Sequence, residues 1–160
     1  MDKITILGVG NILMQDDGFG VRVIERLQQM VWPENIKIID GGTLGMVLLP
    51  YIEGTTKLLI VDAINADGRA GDFFCYKGND VNTYFSNKIS IHDLGINDLL
   101  ASLKITGDPV QEIIVMGVKP AVVELGMELT DAVANEMEST VNKIIDLLKQ
   151  WQIMPIATVD

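Results

Sequence analysis

The sequence predicts an α/β fold of three layers: a mostly parallel twisted sheet of about five strands between helices on both faces, with one short antiparallel strand. Three observations lead there. Apolar runs of strand length recur along the 160 residues, each closed by Gly, Asp or Asn: "ITILGVGN", "IKIIDGG", "KLLIVDA" and "EIIVMGVKP". The runs are continuous rather than alternating, which suits strands buried on both faces. Between them the apolar residues fall at helical spacing, so strands alternate with helices.

"ITILGVGN" is the first strand. The helix after it is expected inside "DDGFGVRVIERLQQMV", with Val21, Ile24, Leu27 and Val31 as its buried stripe and Pro33 as its stop. "IKIIDGG" and "KLLIVDA" are the second and third strands. "ADGRAGDFFCYKG" reads differently: turn residues around Gly68 and Gly71 precede a short aromatic strand, expected as the antiparallel edge. The single cysteine, Cys75, lies in that strand and is expected to pack in the core as a small hydrophobe; one cysteine permits neither an internal disulfide nor a multi-cysteine metal site. Ile96, Leu99, Leu100 and Leu103 follow i, i+3, i+4, i+7 and predict a helix against the sheet. In the last helix Thr130 and Asp131 are the capping candidates, and Val133, Met137, Val141, Ile144, Leu148 and Trp151 run down one face. Residues 1–152 are read as one domain and 153–160 as a C-terminal tail with no assigned role.

Composition narrows the partners. A net charge of -10 with 12 basic residues argues against nucleic acid or an anionic membrane surface, both of which are bound through Lys and Arg. A cationic ligand or a basic peptide suits this field better. Although 48% of the residues are hydrophobic, no apolar run approaches the ~20 residues that span a bilayer, and the N-terminus lacks a signal-peptide pattern. The chain is therefore expected to be cytoplasmic and soluble.

In open sheets of this kind the functional crevice lies beyond the carboxyl ends of the strands. Asp16 and Asp17 follow the glycines of the first strand, Asp40, Gly41, Gly42 and Thr43 end the second, and Asp62 ends the third, with Asn65 close behind. Acids gathered at one rim repel one another or recruit a cation. With the sole histidine, His92 in "NKISIHDLG", two of these carboxylates would form a first shell for a borderline divalent metal such as nickel or zinc. Each residue also has an ordinary reading. A lone histidine is more often a surface or capping group than a ligand, Asp16 or Asp17 can cap a helix, Asp62 can bind a neighbouring loop, and Asp40 can hold the Gly41–Gly42 turn.

Two other chemistries are weaker. "GVGNIL" carries the first two glycines of a dinucleotide fingerprint, but Leu13 stands at the third, and Asp16 and Asp17 would repel a pyrophosphate. A non-catalytic metal-dependent binding module would explain the acids equally well. No G-x-S-x-G elbow is present and Ser86 and Ser90 have no motif context, so a hydrolase built on this chain would use an activated water.

Taken together, "GVGNILMQDDGFGVRV", "DGGTLGMVLLPYI", "LLIVDAI", "NKISIHDLG" and "VMGVKP" resemble, in order and spacing, the maturation endopeptidases of nickel-iron hydrogenases. The resemblance runs through the final helix, and "SNKISIHDLG" is most similar to the branch serving membrane-bound uptake hydrogenases. It implies an α/β endopeptidase that removes a C-terminal peptide from the hydrogenase large-subunit precursor once nickel has been inserted, with bound nickel as the recognition signal. The family's metal-binding positions fall on Asp17, Asp62 and His92, which would also be the catalytic set. Asp16 matches the first acid of the motif and would orient the loop; Asp40, with Gly41, Gly42 and Thr43, would lie at the substrate rim. The implied cofactor is nickel carried by the precursor, and a monomer is expected.

Overall fold

The computed structural model describes residues 2–86, 98, 101–102 and 110–158. In chain order the strands are β1 (Ile4–Val9), β2 (Met30–Val31), β3 (Ile36–Gly42), β4 (Lys57–Ala63), β5 (Phe73–Lys77), β6 (Glu112–Val118) and β7 (Ala157–Thr158). The helices are α1 (Phe19–Leu27), α2 (Leu49–Ile52), α3 (Val81–Ser86), α4 (Asp131–Ala134) and α5 (Met137–Gln150). Five strands make one mixed sheet in the order β3-β1-β4-β6-β5, parallel except for β5, which runs antiparallel to β6 as its aromatic sequence predicts.

Strand periodicity sorts the core into two layers. Ile4 and Ile6, Leu59 and Val61, and Ile114 and Met116 point to one face, where Ile24 and Leu27 of α1 and Val141, Ile144 and Leu148 of α5 cover them. Leu7, Val9, Leu58, Ile60 and Val115 point to the other, under Ile52 and Tyr84. Each such side chain contributes about 1.5–3 kcal/mol by leaving water. On the first face α1 lies almost on the backbone of the sheet, because Gly8 and Gly20 have no side chains. A Cβ on Gly20 would stand 2.1 Å from the Val61 carbonyl oxygen.

Several expectations are corrected. The first helix stops at Leu27, and Val31 is 41% exposed rather than part of its stripe. The indole of Trp32 donates to the Leu27 carbonyl at 2.9 Å, and Met30–Val31 pairs antiparallel with Ala157–Thr158 instead of continuing the helix. Cys75 sits in the predicted strand but is exposed. Phe74 and Tyr76 take the side facing α3, so alternation turns Cys75 to the other side at the margin of the sheet. The last helix is divided at Asn135–Glu136, though its apolar stripe holds, with Val133, Val141, Ile144, Leu148 and Trp151 all buried. The predicted helix of Ile96, Leu99, Leu100 and Leu103 falls outside the described residues, of which Asp98, Ala101 and Ser102 are helical.

Among the described residues no helix is long and apolar enough to cross a membrane. β1 lies between β3 and β4, so the chain crosses from β1 to one side and returns past it to the other. This reversal creates a crevice at the carboxyl ends of β1 and β4.

Candidate active site

The turn that leaves β1 is set by its backbone. Gly10 has φ +132, and the Asp17 carbonyl oxygen lies 2.0 Å from where a Cβ would be. That close approach folds the chain back, and the Asn11 amide donates to Asp17 Oδ2 at 2.9 Å. The same amide is the donor a phosphate loop would need, so the carboxylate occupies the phosphate's place. Gln15 is left-handed at φ 48, a strained conformation for a residue with a Cβ. Its amide donates to the Gly126 carbonyl at 2.9 Å, so the loop after β6 holds the strain in place.

Asp16, next in the chain, is fully buried. Its Oδ2 accepts from the Ala121 amide at 2.8 Å, the Val122 amide at 3.0 Å and the Thr130 hydroxyl at 2.8 Å, while Oδ1 accepts from the Thr130 amide at 2.8 Å. Burial pulls its pKa upward, but the hydrogen bonds from Val122, Thr130 and Ala121 outweigh it and hold the carboxyl below its ordinary value. Thr130 does sit at the N-cap of α4, yet its hydroxyl serves Asp16 rather than the helix.

At the end of β4, Asp62 is also fully buried. Its Oδ1 accepts from the Ala63 amide and its Oδ2 from the Tyr84 hydroxyl, both at 2.8 Å. On the neighbouring strand Gly117 leaves no room for a side chain, since a Cβ there would meet the Asp62 carbonyl oxygen at 1.9 Å. Lys119 Nζ then ties the end of β6 to the Asn65 side chain and the Ala66 carbonyl.

Asp17 and Asp62 are thus brought to adjacent strand ends, with the turn of Asp17 packed on β4. Asp40 stands apart: exposed, and on the Ile36–Ile38 face of its strand, whereas Asp62 alternates with Leu58 and Ile60 onto the opposite face. Asp40, Gly42 and Thr43 instead form one wall of a cleft of about 280 Å³ whose other wall is Asn11, Ile12 and Leu13. Gly41 is buried, and a Cβ there would meet the side chains of Leu7 and Leu48. His92 lies outside the described residues, and no three metal-ligating side chains converge among those described.

Nothing in the sequence singles out Tyr84. No spacing connects "NTYFS" to "VDA"; the one available signal is general, that a buried tyrosine in an apolar run needs a partner for its hydroxyl.

The hydrogenase maturating endopeptidase HybD from Escherichia coli superposes with a TM-score of 0.91 at 35% identity, covering 98% of each chain. HybD from Thermococcus kodakarensis, a [NiFe] hydrogenase maturation protease, gives 0.78 at 28% identity over 92% of this chain and 99% of that one. In sequence, the hydrogenase 2 maturation protease of Escherichia coli (strain K12) is 37% identical over 92% of both chains. The hydrogenase expression/formation protein HupD of Rhodobacter capsulatus is 31% identical over 95% of this chain and 74% of its own. The family model described as hydrogenase maturation protease matches residues 21–147. The chain belongs to the hydrogenase maturation protease family, and it is a peptidase.

Proposed function

We propose that this peptidase acts in the cytoplasm, as a monomer, on the nickel-loaded large-subunit precursor of a nickel-iron hydrogenase and removes its C-terminal peptide. The observation that carries the reading is the placement of Asp17 and Asp62 at the adjacent ends of β1 and β4, each oriented by a hydrogen bond: the Asn11 amide on Asp17 and the Tyr84 hydroxyl on Asp62. His92 completes the set proposed to meet the nickel, which belongs to the substrate. Two carboxylates and an imidazole complement thiolates supplied by the precursor, and their incomplete coordination alone holds free metal weakly. The ion, once docked, supplies Lewis-acid polarisation. The chain's own residues do the rest: Asn11 and Tyr84 fix the acids, and Asp16 fixes the turn that bears Asp17. The cleft between Asn11–Leu13 and Asp40–Thr43 is the proposed bed for the precursor segment.

The test is processing of purified nickel-loaded precursor by Asp17→Ala, Asp62→Ala and His92→Ala variants. Each is expected to lose about 100-fold or more in cleavage rate. Full cleavage by all three would overturn the assignment, and equal cleavage of nickel-free precursor would overturn the use of nickel as the signal.

A further inference from the structure

The loop that follows β6 has an unusual division of labour between backbone and side chains. Its backbone is pinned at many points. The Gly126 amide donates to the Leu13 carbonyl and the Gln15 amide to the Gly126 carbonyl, both at 2.9 Å. Arg22 donates to the Met127 carbonyl at 3.0 Å, and Asp16 holds Ala121, Val122 and Thr130 from beneath. Its side chains go the other way. Val123, Leu125 and Met127 are 47%, 84% and 59% exposed, and Leu13 on the strand-like partner segment is 52% exposed. These are four of the ten large apolar side chains exposed among the described residues; Val31, Met154 and Ile156 form a separate group beside the β2–β7 ladder. Glu124 and Glu128 alternate with the apolar residues and are exposed too.

A loop ordered this thoroughly while its apolar side chains face water gains nothing for the core; such a patch marks a surface that meets a partner. We propose that the ridge of Leu13, Val123, Leu125 and Met127 is the docking surface for the folded large-subunit precursor, engaging an apolar patch bordered by Lys or Arg. The proposal rests on the function proposed above and names how its substrate is selected. Two features choose this occupant. The ridge is continuous with the proposed active site, since Leu13 both pairs with Gly126 and lines the cleft beside Asn11. Its acids, Glu124 and Glu128, call for a basic border on the partner, as does the net charge of -10. The buried Asp16 makes the ridge and the Asp17 turn one rigid unit, so that docking presents the scissile segment to the acids in register.

The experiment compares three proteins on full-length nickel-loaded precursor: wild type, Val123→Ser/Leu125→Ser, and the control Met154→Ser/Ile156→Ser in the exposed apolar group beside the β2–β7 ladder. All substituted positions are solvent-facing, and equal thermal midpoints verify folding. The ridge variant is expected to raise KM about tenfold with kcat little changed, and the control to match wild type. A second variant, Glu124→Lys/Glu128→Lys, is expected to raise KM and to lose the salt dependence of wild type. Unchanged KM in the ridge variant, or an equal rise in the control, would overturn the docking surface while leaving the function intact. Failure of wild type to cleave the precursor would instead overturn the function.

Discussion

The turn after β1 and the end of β4 each bury a carboxylate, and they hold it by different means. Asp16 is gripped by three backbone amides and a hydroxyl, all from the loop of residues 121–130, far away in sequence. Asp62 is held by the amide of the next residue and the phenol of Tyr84. Equal burial therefore conceals two tasks. Backbone amides cannot turn away, so the Asp16 grip builds structure: it fixes a strained turn and an exposed ridge together. A phenol on a short helix is a side-chain partner, replaceable without disturbing the chain, and it orients a carboxylate that the proposed function uses.

The largest effect that tests this contrast is Asp16→Ala. Four part-buried donors lose their acceptor at once, and the cost is expected at about 3–5 kcal/mol of unfolding free energy. Urea unfolding measures it. A loss below about 1 kcal/mol would mean that the loop finds other partners, and the structural role assigned to Asp16 would fall.

The strands were legible in the sequence because continuous apolar runs closed by Gly or Asp are local signals, and the α1 and α5 stripes were legible for the same reason. What escaped was set by neighbours distant in the chain. Val31 reads as helix until Ala157 pairs with it, and Cys75 reads as core until Phe74 and Tyr76 take the side of the edge strand that packs under α3. At the site, the resemblance implied that Asp16 orients the loop, but the groups it bonds were not readable, because the donors to Asp16 lie 105 to 114 residues away. Tyr84 escaped because its partner is chosen by the path of α3 across the sheet.

A second effect is expected in acid. The Asp16 carboxyl is held below its ordinary value by hydrogen bonds that outweigh burial. A folded-state pKa below the unfolded one adds stability above the unfolded value, and that stability is lost as pH falls through the folded one. Asp16→Asn removes the titration and also sets an amide NH2 against one of the donors, so it is less stable than wild type at neutral pH. The gap is expected to narrow steadily below the ordinary carboxylate range, followed by urea midpoints from pH 6 to pH 3. A gap that stays constant with pH would show that Asp16 does not titrate with folding.

The smallest change in stability, and the sharpest division of the two regions, is expected from Tyr84→Phe. The ring packs edge-on against Phe85 at 4.8 Å between centroids and near Tyr76 at 6.4 Å, contacts that phenylalanine keeps. Only the hydroxyl is lost, and with it the bond to Asp62 Oδ2, for about 1 kcal/mol of stability. If Tyr84 orients a working carboxylate, precursor cleavage should nevertheless slow by about tenfold, the scale on which partners of a metal-binding carboxylate act. The paired measurement separates the roles: Asp16→Ala would cost much stability, Tyr84→Phe little stability and much rate. A Tyr84→Phe enzyme that cleaves at the wild-type rate would reduce the phenol to packing, and Asp62 would then owe its orientation to the Ala63 amide and the strand itself.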